Sequence, residues 1–319
     1  MILDILVLLA GLVLIVGGAE FLVSGSSSIA RKAGISEFVI GLTVVGMGTS
    51  APEMVVSFMG AMKGNADIAV GNIIGSNIFN TMFILGLTAL LAPMAITPGN
   101  KKKDIPANIL VSILLAALGL NFTLLGLGAE DTLSRVDGSI FLALFVAYMV
   151  WSFVADKPAE AQASSEKTQN LFLSILMVLG GLAGLIYGGN LFVDSATSIA
   201  KALGVSDKFI AITILAGGTS LPELAPCLVA AARKKGQLAL GNIIGSNIFN
   251  VLLILGGSAL IHPLSFADIN LVDMGALLLS SLLVLGSAFL GKKNVIDRFD
   301  GALMFLCGIA YYIWLFVKL

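Results

Sequence analysis

The chain has 319 residues, of which 58% are hydrophobic and only 12% charged, with a formal net charge of −1. That balance excludes an ordinary soluble globular domain, and the absence of a polybasic segment leaves nothing for nucleic acid or an anionic lipid surface to bind. Cys227 and Cys307 both fall in apolar stretches, so neither a disulfide framework nor a thiolate metal site is expected.

Apolar stretches of about 20 residues follow one another along the chain, each long enough to cross a hydrocarbon core roughly 30 Å thick. They cover 3–23, 38–62, 68–92, 105–127, 138–154, 171–193, 209–232, 238–261, 269–291 and 301–317. Backbone groups in lipid must be satisfied within each segment, and strict alternation of barrel strands is absent. The reading is an all-α polytopic membrane protein of ten transmembrane helices. The first stretch opens on Asp4 rather than a basic run, so it reads as a retained helix and not a cleaved leader. No soluble domain is left to place.

Basic residues sort by side. Arg31, Lys32, Lys101, Lys102, Lys103, Lys157, Lys167, Arg233, Lys234, Lys235, Lys292, Lys293 and Arg298 lie in alternate loops. Lys63, Arg135, Lys201, Lys208 and Lys318 lie on the other side. The positive-inside rule puts the first set in the cytoplasm and both termini outside.

The sequence is written twice. Gly71 to Asn80 (GNIIGSNIFN) recurs unchanged as Gly241 to Asn250, and Thr49-Ser50-Ala51-Pro52-Glu53 returns as Thr219-Ser220-Leu221-Pro222-Glu223, both at an offset of 170 residues. A ten-residue identity at a fixed offset is an internal repeat. The repeats read as 1–154 and 171–319, joined by a short polar cytoplasmic linker, 155–170, of flexible composition. Five spans per half is odd, so the second half enters the membrane from the opposite side. Two inverted five-helix repeats are expected, with a substrate held near the midplane between them.

Glu53 and Glu223 are the acids well inside the spans, and no Lys or Arg lies at comparable depth. A lone carboxylate near the bilayer centre costs at least about 2.5–3.5 kcal/mol, so this pair needs protons or a bound cation. Thr49 and Ser50 can share a helix face with Glu53. Pro52 and Pro222, lacking an N–H, deprive the Gly48 and Gly218 carbonyls of their usual helical partners. Ser76 and Asn80 stand one turn apart, as do Ser246 and Asn250. Hard cations such as calcium take six to eight oxygens, while the lack of Cys and His ligands argues against zinc or copper. Blander readings stand beside these: Gly71 and Gly75 make a small-xxx-small pattern, and Ser and Asn can simply join helices. No enzyme constellation appears in the spans, and no catalytic or cofactor-binding residue is assigned.

Gly-Thr-Ser-x-Pro-Glu at 48–53 and 218–223, with Gly-Asn-x-x-Gly-Ser-Asn-x-x-Asn at 71–80 and 241–250, resembles the paired alpha-repeats of the calcium/cation antiporter superfamily. The similarity is to the prokaryotic type of the sodium/calcium exchanger branch. The resemblance implies a secondary active antiporter exchanging calcium for sodium by alternating access, with Glu53 and Glu223 as shared ligands. Thr49, Ser50, Ser76, Asn80, Thr219, Ser220, Ser246 and Asn250 would complete the sites, joined by backbone carbonyls near Gly46 and Ala216. The first and sixth helices would slide against the core. No cofactor is implied. The partners are the transported calcium and sodium ions and the lipid bilayer of an inner (plasma) membrane, with no obligatory protein partner evident. Asn80 and Asn250 are both amides, whereas potassium-dependent relatives carry an Asp at the second position. Cys227 replaces Ser57, and Pro226 has no counterpart in the first repeat, so the seventh helix is expected to bend differently from the second. A calcium/proton antiporter and a passive cation channel stay open as alternatives.

Overall fold

The structure, a computed structural model, describes residues 2–127, 130–156, 169–204, 218–290 and 294–318. In chain order its helices are α1 (Ile2–Ala33), α2 (Glu37–Thr49), α3 (Ala51–Met62), α4 (Ala66–Leu91), α5 (Ile105–Gly119), the short α6 (Asn121–Leu125) and α7 (Arg135–Val154). The remainder are α8 (Leu171–Ala202), α9 (Leu221–Ala232), α10 (Gly236–Ile261), α11 (Leu271–Phe289) and α12 (Arg298–Lys318). Among the described residues seven helices are long and apolar enough to cross a membrane, or eight if α2 and α3 form one bent span. The stretch expected over 105–127 is cut at Leu120, which leaves α5 with 15 residues, and the one expected over 209–232 lies partly outside the described residues.

Capping explains several helix starts. Pro52, Pro106 and Pro222 sit in the first turns of α3, α5 and α9, where a missing N–H costs nothing. Ser134 with Asp137 and Asn270 with Asp273 form reciprocal capping boxes for α7 and α11. Gly34 and Gly204, equivalent by the 170-residue offset, follow α1 and α8 closely with φ of 66° and 80°, a region that side chains with a Cβ adopt poorly.

Apolar surface is distributed for lipid. Of the span of α10, 94% is buried, against 22% for α1 and 17% for α12. The outer helices expose residues such as Val13, Val154 and Phe172, which suits a hydrocarbon surround rather than water. The inner helices α4 and α10 carry the duplicated decapeptide.

α1 and α8 are longer than their apolar stretches, at 32 residues each. The polar run Ser26-Ser27-Ser28 continues α1 because it is buried: Ser28 accepts from the Ser174 hydroxyl at 2.9 Å. The two helices meet through glycine. A Cβ on Gly11 would lie 2.8 Å from the Gly188 carbonyl, one on Gly18 2.8 Å from that of Gly181, and one on Gly25 2.7 Å from that of Ser174. Rising numbers on α1 meet falling numbers on α8, so the helices pack antiparallel with their backbones in contact.

Two short ladders in connecting loops accompany the helical framework. Met94–Ala95 pairs antiparallel with Val295–Ile296, and Thr132–Leu133 with Leu264–Ser265, each ladder joining the two halves of the chain. Two-residue strands in connecting loops carry no periodicity that a sequence can display. Further cross-half contacts recur in pairs. A Cβ on Gly138 would meet the Gly256 carbonyl and one on Gly301 that of Gly86, both at 2.7 Å. At the α5–α11 contact the hydroxyls of Ser112 and Ser281 lie 2.8 Å apart, with Asn108 donating to Ser281.

Candidate cation site

The chain breaks where the first glutamate is carried. α2 and α3 meet at a 50° bend around Ser50, whose φ of −81° and ψ of 9° leave the helical region. The Ser50 N–H turns back to the Gly46 and Gly48 carbonyls, so the Gly48 carbonyl expected to be bare has a partial partner. Pro52 then opens α3 and delivers Glu53 to the interior, 1% exposed; Pro222 does the same for Glu223, also 1% exposed. In α4 and α10 the helix widens to π turns at Asn80–Leu85 and Asn250–Leu255, a feature frequent at functional sites. α3 packs against the π turn begun by Asn250, and α9 against that begun by Asn80. Each glutamate-bearing helix therefore meets the π turn of the other half.

Five side-chain oxygens in this junction are buried and lack any hydrogen-bond partner: both carboxylate oxygens of Glu53, Oε2 of Glu223, Oδ1 of Asn80 and Oδ1 of Asn250. Oε1 of Glu223 accepts from the Ser50 hydroxyl of the opposite half at 3.2 Å. Such groups ordinarily find partners, and leaving a buried acceptor bare is costly. Here all five are acceptors, three of them on the two carboxylates. Among the described residues no three His, Cys, Asp or Glu side chains converge. A cation held at this point would have to draw on amide, hydroxyl and backbone oxygens beside the two carboxylates, the donor set of a hard ion.

The other expected residues take varied places. Thr49 is fully buried and donates to the Gly46 carbonyl at 3.4 Å and to Oδ1 of Asn242 at 3.3 Å. Ser246 donates to the same Gly46 carbonyl at 3.3 Å, and the Ser50 N–H reaches it at 3.1 Å. Gly46 is thus at the site, with its carbonyl engaged by three protein donors. Ser76 and Ser220 are buried. Thr219 is exposed and lines a cavity of about 130 Å³, along with Pro52, Ile186, Asn190, Asp194 and Pro222. Ala216 lies outside the described residues.

The profile of the sodium/calcium exchanger protein family matches residues 3–154 and 173–317. The chain belongs to that family. The putative antiporter CaxA of Alkalimonas amylolytica is 41% identical over 97% of both chains. The sodium/calcium exchanger MaX1 of Methanosarcina acetivorans is 31% identical over 98% of both. Among solved structures, the sodium-calcium exchanger NCX_Mj soaked without sodium or calcium superposes with a TM-score of 0.84 at 35% identity, covering 98% of this chain and 99% of that one. The same exchanger soaked with 2.5 mM sodium and 0.1 mM calcium gives 0.82 at 36% identity, with 97% of each chain covered.

Four further asparagines in this exchanger-family chain escaped the sequence reading. Asn72 donates to the Glu53 backbone carbonyl at 3.2 Å and to the Ser57 hydroxyl at 3.0 Å. Asn242 donates to the Glu223 carbonyl at 3.3 Å and to the Cys227 sulfur at 3.2 Å. These amides brace the glutamate-bearing helices against α4 and α10. Cys227 thus takes over the role of Ser57, down to a weak donation to the Ala239 carbonyl where Ser57 donates to Ala69. Asn77 and Asn247 reach across between the halves. All four lie inside the repeated decapeptide, and that identity was the signal available to find them.

Among the described residues three further acids are buried beyond the glutamates: Asp300, which accepts from the Asp297 N–H at 3.0 Å at the start of α12, and Asp104 and Asp273, each of which holds a tyrosine. Asp104 accepts from the Tyr148 hydroxyl at 3.0 Å and pairs with Lys103 at 3.3 Å, while Asp273 accepts from the Tyr311 hydroxyl at 2.9 Å. The hydrogen bonds of Asp104 and Asp273 tie the start of α5 to α7 and that of α11 to α12, which gives them a structural role.

Proposed function

We propose that this chain is a secondary active antiporter that exchanges calcium for sodium by alternating access around one cation site shared by two inverted five-helix repeats, 1–154 and 171–319. The observation that carries the reading is the set of five buried, unpartnered acceptor oxygens contributed by both halves. Calcium is bound by Glu53 and Glu223 with the carbonyl oxygens of Asn80 and Asn250. Thr49, Ser50, Ser76, Thr219, Ser220 and Ser246 supply hydroxyls, and Gly46 and Ala216 supply backbone carbonyls. The Gly46 carbonyl joins when Thr49 and Ser246 turn away from it. Several sodium ions occupying the same region displace calcium.

Coupling follows from electrostatics. Moving two bare carboxylates past an apolar gate is expensive, so the halves rearrange when a calcium ion or sodium ions neutralise the acids. The antiparallel packing of α1 on α8, which are equivalent by the sequence offset, supports the inverted arrangement. The family membership and the exchangers among its relatives support sodium and calcium as the ions. The loop charges support a plasma membrane location with both termini extracytoplasmic, and residues 155–170 act as the cytoplasmic linker.

The test is radiolabelled calcium uptake into proteoliposomes loaded with sodium, with choline-loaded and proton-gradient controls. Uptake that requires internal sodium is the expected result. Uptake driven by a proton gradient alone would replace sodium with protons, and uptake under every condition would make the protein a channel.

A further inference from the structure

An amide has two ends of nearly equal size and opposite chemistry: its oxygen accepts, its nitrogen donates. Asn80 and Asn250 serve a cation only if the oxygen faces it, since an NH2 group turned inward repels the ion. Shape cannot enforce that choice, so hydrogen bonds must. The nitrogen of Asn250 donates to Oδ1 of Asn77 at 2.9 Å, and the nitrogen of Asn80 donates to Oδ1 of Asn247 at 3.4 Å. Each bond crosses between the halves. In both residues the oxygen is left buried with no protein partner.

The polarity of one bond is fixed from outside the pair. Asn77 donates from its own nitrogen to the Asn247 backbone carbonyl at 3.0 Å. A backbone carbonyl only accepts, so Asn77 must turn its NH2 to it and its oxygen to Asn250. Asn250 must in turn present NH2 to Asn77, which leaves its oxygen for the centre. Asn247 is held by a different acceptor, the Thr81 hydroxyl at 2.8 Å. The residue equivalent to Thr81 in the second half is Val251, so the two arms are built unequally. Asn77 is 2% and Asn247 5% exposed, and neither side chain contributes an oxygen to the unpartnered set.

We infer that Asn77 and Asn247 are positioning residues that set which end of the Asn250 and Asn80 amides faces the cation, so that each half orients a ligand of the other. The inference rests on the cation site proposed above and adds a rule for its assembly: the ligand geometry of one half is intact only while the two halves hold this register.

A carboxylate at position 250 or 80 accepts at both ends and needs no such orientation, which gives a decisive test. Equilibrium binding of radiolabelled calcium is measured on the full-length purified protein. Asn77→Ala should weaken binding by about three- to tenfold, the equivalent of one hydrogen bond. In an Asn250→Asp background the same substitution should cost about twofold or less, a non-additivity expected only of coupled residues. Equal losses in both backgrounds would make Asn77 a packing residue and overturn the proposal, as would no loss in the Asn250 background. If Asn77→Ala does not fold, Asn247→Ala measured with and without Asn80→Asp poses the same question on the other arm. Wild-type protein that binds neither calcium nor sodium would instead bring down the cation site itself, and this proposal with it.

Discussion

The two long helices α1 and α8 occupy equivalent places in the repeat, yet their flanks are in different states. α1 packs along α9, and where they meet the guanidinium of Arg233 is ion-paired with Glu20 and donates to the Ser24 hydroxyl at 2.6 Å. The equivalent flank lies between α8 and α3. There the cavity of about 130 Å³ opens, lined by Asn190 and Asp194 of α8 and by Pro52 and Pro222, the residues immediately before the two glutamates. By the 170-residue offset Asn190 and Asp194 stand for Glu20 and Ser24, and Lys63 stands for Arg233. Each flank carries one acid and one neutral polar residue on the long helix, in swapped order. A duplicated chain has here taken two arrangements, one closed by an ion pair and one opening on a cavity, beside the proposed cation site. In the orientation proposed from the loop charges, the open flank would face away from the cytoplasm.

Three experiments would break or sharpen that comparison. The largest effect is expected from tying the closed flank shut: Ser24→Cys with Arg233→Cys, joined by a short cleavable cross-linker, should stop calcium–sodium exchange, with recovery on cleavage. Wild-type flux through the tied protein would show that this flank never opens. Next is the seam on which both flanks depend. Gly181→Leu drives a side chain into the Gly18 carbonyl and the Leu22 backbone and should destabilise the fold by about 1–3 kcal/mol or more. Its neighbour Gly180 has nothing within 4 Å of its Cβ position, so Gly180→Leu should change thermal stability by about 0.5 kcal/mol or less. Equal effects would mean that the α1–α8 packing is not as described. The smallest effect belongs to Arg233→Gln. The pair is about one-third exposed on both sides, where such bridges are worth about 0–1 kcal/mol. Labelling at Ser24→Cys should therefore rise by no more than about fivefold.

Much of this was legible in the sequence, for identifiable reasons. Glu53 and Glu223 stood out because unneutralised acids in apolar spans have few explanations, and the repeated decapeptide marked α4 and α10 as the core. The length of α1 was not legible, because Ser26–Ser28 reads as a polar end until packing buries it. Asn77 and Asn247 were not singled out, since which end of an amide is used is settled by a partner about 170 residues away. Asp104 and Asp273 fell at the edges of their apolar stretches, and only packing reveals the tyrosines that hold them. The state of the flanks was not legible: each carries one acid, one neutral polar residue and one basic residue, so composition alone does not tell the closed flank from the open one.

The central claim is that the two halves build one cation site, and calcium binding to Glu53→Gln, Glu223→Gln and the double substitution tests it most directly. Glutamine keeps the shape and removes the charge, so each single variant should lose at least about 30-fold in affinity, with little left for the second substitution to remove. A single variant that binds like wild type, or two losses that simply add, would mean separate sites in the two halves and would contradict the account.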